Sequence, residues 1–171
     1  MKNTKRISCN CQGCQRACQH KPGWFLPGEV EKAANFLGLD LQTFFTRYIG
    51  VDYIGSENEN RVYVLSPSTI NMKPGDMFPF YPGGTCVFFN DGKCDIHPVA
   101  PYECQEYHHT DEPDTTQKRH LWIAKQWEGQ TEFITKLLGR PPHSVEPTSP
   151  REYFNAMMKY FDLLKAKGKI P

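Results

Sequence analysis

Cys9-Asn-Cys11-Gln-Gly-Cys14-Gln-Arg-Ala-Cys18 sets four thiols within ten residues, and no large aliphatic side chain follows Ile7 in this run. A segment this dense in cysteine reads neither as a core strand nor as the buried stripe of a helix. Its thiols either cross-link or bind a soft ligand, and thiolates are the preferred ligands of zinc and of iron–sulfur clusters. Three further cysteines, Cys86, Cys94 and Cys104, lie far downstream. The chain is therefore expected to fold so that the second set meets the first around metal.

Spacing sharpens this reading. Cys11-x2-Cys14 reads as a chelating pair on a tight turn, and Cys18 follows within reach. The run is similar to the triplets that hold three irons of a four-iron, four-sulfur (4Fe–4S) cluster, whose fourth ligand comes from elsewhere. A zinc site would take the same pair plus two remote thiolates. The seven cysteines divide in two ways: four in one site with the rest nearby, or all seven in two sites, completed by a histidine or a bridging sulfur. A closed disulfide framework would leave one thiol over, and reducing compartments disfavour it. His97, beside the downstream cysteines, is an additional candidate ligand. His20, His108 and His109 are weaker ones, and His20 reads as a solvated loop residue.

The 171 residues suffice for one domain with a hydrophobic core, and the formal net charge of +1 points to neither nucleic acid nor an anionic membrane. The basic Met1–Arg6 segment is followed by no apolar stretch, so no signal peptide or membrane span is expected and the cytoplasm is the expected compartment.

Outward from the cluster, Trp24 and Phe25 form an aromatic plug in a Pro/Gly loop. Glu29–Leu37 reads as a helix with Val30, Ala33, Ala34 and Leu37 inward and Gly38 as its stop. Asp40 caps a second helix through Tyr48, with Leu41, Phe44, Phe45 and Tyr48 inward, and Gly50 ends it. Arg61–Leu65 alternates as a strand after a polar turn at 55–60, and 67–84 is irregular. Within that stretch Met77-Phe78-Pro79-Phe80-Tyr81 reads as core or packed loop, or as a pocket wall. Asn90-Asp91-Gly92 predicts a hairpin that puts Cys86 and Cys94 on neighbouring strands. Pro98–Tyr107 is a short helix or turn, and 106–114 a solvated acidic loop; the Asp and Glu residues at 103–114 read as solvated charge, or as acids. A long helix is expected over Thr116–Leu138, with Leu121, Ala124, Trp127, Ile134 and Leu138 on one stripe. Ser149, Pro150 and Glu152 open a last helix with Tyr153, Met157, Tyr160, Phe161 and Leu164 buried.

A family resemblance rests on the downstream cysteines. Cys86-Val-Phe-Phe, then Asp91-Gly92, then Cys94-Asp-Ile-His-Pro-Val-Ala-Pro-Tyr-Glu-Cys104, resembles the second half of the cysteine-cluster family named for its CxxCxxCC motif. That half reads C-x-F-L, a turn, then C-x-I-Y-x-x-R-P-x-x-C; Cys86, Cys94, Ile96, Pro101 and Cys104 match. The helix ending Leu37-Gly-Leu39 and the Phe44…Arg47-Tyr48 helix are also similar, so the likeness spans residues 9–108. The chain departs from the pattern at Ala17-Cys18, where the family has adjacent cysteines (Cys9 is a substitute). It departs again at His97 and Ala100, where the family has Tyr and Arg. The resemblance implies zinc or iron chelation or an iron–sulfur cluster, and one member, flagellin lysine N-methylase, modifies protein lysines.

No glycine-rich phosphate loop, G-x-S-x-G or H-E-x-x-H is present. The expectation is a single α+β domain over 1–171, mainly helical with a small β-hairpin, organised round a cysteine-ligated metal centre. Residues 9–108 form the metal-binding region, and two C-terminal helices within 115–168 pack on it. The expected ligands are Cys9, Cys11, Cys14, Cys18, Cys86, Cys94, Cys104 and His97. They hold an iron–sulfur cluster, 4Fe–4S by its spacing, or Zn2+. A redox or protein-modifying role follows from the first, a structural or interaction module from the second, and a lysine methyltransferase-like enzyme from kinship alone. The sequence names no protein partner.

Overall fold

The computed structural model describes residues 12–55, 61–78, 83–108 and 110–142, and only the backbone of Cys14. The expected helix after Ser149, Cys9 and Cys11 all lie outside these residues, as does 79–81 of the aromatic run. The fold is α+β. Among the described residues it has six α-helices, two two-stranded antiparallel sheets and a short 3-10 turn. None of these helices is long and apolar enough to cross a membrane.

The cysteine run is helical after all: α1 spans Gln12–His20. No aliphatic stripe drives it. Its last carbonyls, which a helix leaves unpaired, are taken up by a neighbouring segment. Cys86 N–H donates to Cys18 O at 2.9 Å and Gly84 N–H to His20 O at 2.8 Å. Gln15 Nε2 also reaches Gly92 O at 3.3 Å. His20 is therefore the exposed end of a helix, not a loop residue.

The next two helices follow the sequence. α2 (Pro27–Phe36) begins on Pro27, buries Val30, Ala33 and Ala34, and stops at Gly38 in the left-handed conformation, φ +68°. α3 (Leu41–Tyr48) is capped by Asp40, which accepts from Thr43 N–H at 2.8 Å. It inserts Phe44 and Phe45 into the core.

Gly50 does not simply end α3. The chain passes directly into β1 (Ile49–Ile54), which pairs with β2 (Val62–Pro67) in the register Val51↔Leu65. The far edge of β1 is also used. Gly75 N–H donates to Ile49 O, Val51 N–H to Asp76 O, and Phe78 N–H to Val51 O at 2.8 Å. The stretch expected to be irregular thus adds a third, parallel rung at Met77. Met77 and Phe78 are buried, in keeping with core packing.

The Asp-Gly hairpin forms, with φ +45° at Asp91 and +76° at Gly92, as a primed turn requires. It is shorter than expected: β3 (Phe89–Asn90) pairs with β4 (Lys93–Cys94). Cys94 faces Phe89, and Cys86 is not its cross-strand neighbour. Cys86 instead bridges to Thr69 beyond β2, and Val87 N–H donates to Ser68 O at 3.0 Å.

The helix expected over Thr116–Leu138 is two. α4 (Tyr102–Glu106) precedes α5 (Pro113–Trp127), and α6 (Thr131–Leu138) follows a break at Gly129, whose φ of +77° is not helical. Of the expected stripe, Trp127 and Ile134 are buried and Ala124 and Leu138 half-buried, whereas Leu121 is 62% exposed and Arg119, Ile123 and Leu137 are buried beside them. Gly139 stops α6 at φ +71°.

The core joins Phe25, Val30, Phe44, Phe45, Ile49, Val51, Val64, Leu65, Phe88, Ile96, Ile123, Trp127 and Ile134. Phe44 stacks on Phe88 at 6.0 Å and meets Phe25 edge-on at 6.4 Å. Trp127 Nε1–H donates to Phe25 O at 2.7 Å, tying α5 to the loop that follows α1.

Candidate functional site

Four segments meet around one cavity of about 680 Å3. α1 contributes Cys18, the segment after Thr85 contributes Cys86, β4 contributes Cys94, and α4 contributes Cys104. None of these four is in a disulfide. Cys14 lies one turn before Cys18 on α1. Among the described residues no three His, Cys, Asp or Glu side chains converge closely enough to hold a single metal ion as they stand.

The walls disfavour charge on two of these thiols. Burial, reinforced by Cys94 and Cys18, pushes the Cys86 thiol up to about 12. Burial pushes Cys104 well above the ordinary thiol value too, again with its neighbours Cys86 and Cys18 adding to the rise. Charge on one sulfur here disfavours charge on the next. A cation among them reverses that order, because a coordinated thiol is deprotonated outright.

One backbone loop organises the deep side of the cavity. Gly23 N–H donates to Cys104 Sγ at 3.2 Å, and the next N–H, of Trp24, donates to Glu103 Oε2 at 2.9 Å. Gly23 has to be glycine for this approach. A Cβ there would lie 2.8 Å from Cys104 Sγ and 2.9 Å from Cys104 N.

Glu103 belonged to the acidic stretch expected to carry solvated charge, yet it is 9% exposed. Its other oxygen meets His120 Nε2 at 2.8 Å. Burial acts to raise the Glu103 carboxyl. The His120 hydrogen bond, the Lys21 charge and the Trp24 N–H together outweigh burial and hold it below the usual range. Trp24 packs edge-on against the His120 ring at 4.7 Å and 61°. Its indole N–H donates to buried Asp52 at 2.8 Å, and Lys21 Nζ lies 3.9 Å from the indole ring centre. Burial raises the Asp52 carboxyl.

Asp111 departs from the solvated-loop expectation as well, pairing with buried Arg119. His97 opens the 3-10 turn His97–Val99 and lines the cavity, as do His20 and His120. His108 is exposed and does not line it. His109 lies outside the described residues. His120 carries no local signal in the sequence, sitting on α5 between Arg119 and Leu121. Only the placement of Glu103 against Cys104 in the downstream motif hinted that its carboxylate would be buried.

No protein-family model matches the chain, and neither a curated protein nor a solved structure matches it.

Proposed function

We propose that the protein carries an iron–sulfur cluster, held by Cys18, Cys86, Cys94 and Cys104, with Cys9, Cys11 and Cys14 as further candidate ligands from the sequence. The observation that carries this is the presence of four cysteines from four separate segments on the wall of one cavity. A single zinc draws its sulfurs to about 2.3 Å from one point. The seven cysteines of the chain outnumber the four ligands that one zinc takes, which favours an inorganic core with several irons over one ion. The resemblance to the cysteine-cluster family leads the same way.

Bound there, such a cluster supplies one-electron chemistry. The chain's own contributions are distinct. Gly23 N–H directs a hydrogen bond to the Cys104 sulfur, and donors of this kind tune a thiolate-ligated centre. Phe88 and Ile96, both buried, give the cavity an apolar wall.

The test is anaerobic reconstitution of the full chain with ferrous iron and sulfide, followed by visible spectroscopy and assay of iron and acid-labile sulfide. A brown protein with matched iron and sulfide is expected. Cys94→Ser should lower the iron content about as much as Cys14→Ser. A colourless protein that retains zinc instead moves the reading to a zinc-bound structural or interaction module. Loss confined to Cys14→Ser removes the downstream cysteines from the site.

A further inference from the structure

We propose that His120 supplies a nitrogen ligand to the metal centre, with Glu103 as the residue that positions it. This rests on the metal-centre reading above and extends it beyond the cysteines.

Three histidines line the cavity: His20, His97 and His120. His20 is exposed at the end of α1. His97 makes no side-chain hydrogen bond among the described residues; only its carbonyl is used, by Ala100 N–H at 3.4 Å. His120 alone is held by a carboxylate. Its Nε2 meets Glu103 Oε1 at 2.8 Å, and the carboxylate is itself fixed at Oε2 by Trp24 N–H at 2.9 Å. The ring's tilt is set by the Trp24 edge at 4.7 Å.

This is the arrangement that metal-binding histidines adopt. One ring nitrogen donates to a carboxylate, which fixes tautomer and orientation and makes the other nitrogen a better donor to metal. In the neutral tautomer that gives Nε2–H to Glu103, the lone pair lies on Nδ1, for which no hydrogen-bond partner is found among the described residues. The same carboxylate is the chain neighbour of Cys104, and consecutive N–H groups of Gly23 and Trp24 anchor the thiol and the carboxylate. A sulfur ligand and an imidazole are thus held by one rigid turn, from α4 and α5 respectively. An imidazole in place of a thiolate also relieves the like-charge crowding among the sulfurs.

The experiment uses the full chain, reconstituted anaerobically with ferrous iron and sulfide, reduced, and read by pulsed EPR for nitrogen coupling. Histidine labelled with 15N identifies imidazole as the source. The decisive variant leaves His120 untouched: in His20→Ala/His97→Ala the coupling should persist at full strength, and in His120→Ala it should vanish. If His120→Ala does not fold, the double variant alone decides. Loss of coupling in the double variant overturns the proposal. A cluster that forms without any histidine coupling in the parent overturns it too, while leaving the cysteine reading intact. A parent that takes up neither iron with sulfide nor cobalt(II) overturns the metal reading itself, and this proposal with it. If cobalt(II) alone binds, the same nitrogen coupling is read on cobalt with the same variants and the same consequences.

Discussion

Replacing Gly23 with alanine puts a methyl group into the tightest joint of the site. Its carbon would lie 2.8 Å from Cys104 Sγ, 2.9 Å from Cys104 N and 2.9 Å from Glu103 Cβ. Ordinary contacts between such atoms are about 3.5–4.0 Å, so the loop or α4 has to retreat by close to an ångström. Overpacking of this kind costs about 1–3 kcal/mol. The retreat also stretches the Gly23 and Trp24 N–H bonds, each worth about 0.5–1.5 kcal/mol. One opposing effect exists. Gly23 is not in the left-handed region, so alanine adopts its backbone and gains about 0.4–1 kcal/mol from a less disordered unfolded chain. The expected balance is a loss of about 2 kcal/mol. With a urea slope of about 1–3 kcal/mol per molar for a small protein, the midpoint should fall by about 1 M. The measurement is made on metal-free protein under reductant, so that folding alone is read. Gly28→Ala is the matched control: nothing lies within 4 Å of the added carbon and the position is in α2, so it should gain about 0.5–1 kcal/mol. Equal midpoints for Gly23→Ala and the parent would refute the close-approach reasoning.

Two more outcomes follow from the polar groups around that joint. Trp24→Phe removes the indole donor from Asp52 Oδ2 and leaves a buried carboxylate oxygen unsatisfied, a loss of about 1–3 kcal/mol; a Trp24→Phe/Asp52→Leu pair should recover much of it, and strict additivity of the two changes in urea melts would count against the contact. Asp111 sits below its ordinary 3.8: burial works to raise it, and the Arg119 hydrogen bond and charge, with His108 N–H, overcome that. A carboxyl lowered on folding stabilises above its unfolded value and loses that stabilisation as the pH falls through the folded one. The parent should therefore exceed Asp111→Asn by about 1–3 kcal/mol at neutral pH, with the gap closing between about pH 5 and pH 2; parallel pH curves for the two proteins would contradict it.

Local grammar placed α2 and α3, because Asp40 and Gly38 mark their ends without help from the rest of the chain. It could not separate α5 from α6. Trp127 and Ile134 are seven residues apart, close to two helical turns, so one helix and two give the same apolar period. The break falls at Glu128, whose ψ of 130° is extended, and at Gly129 with φ +77°. β1 was hidden differently. It begins at the residue after α3 ends, with no linker, and Gly50 resembles a stop. The glycine is there because Phe78 lies over it: an added Cβ would come within 2.2 Å of the ring. That reason is tertiary, and no window of sequence contains it. The same holds for α1, whose ends are satisfied by Gly84 and Cys86, more than sixty residues on.

The cysteine count announced a shared site, but the count does not determine where the sulfurs go. That depends on Lys21–Leu26, read from sequence as a loop with an aromatic plug. Its Gly23 and Trp24 N–H groups fix Cys104 and Glu103. Its next residue donates to Leu65 O at 2.9 Å and accepts from Trp127. One short loop is therefore bonded on one side to the cavity wall and on the other to β2 and α5. A change that loosens Phe25 in the core therefore also bears on Cys104, which is held two residues earlier in the same loop by Gly23 N–H. The hydrophobic core and the thiol site are joined through this loop, and substitutions at Trp127, 23 residues beyond Cys104 in sequence, should change metal uptake as well as stability.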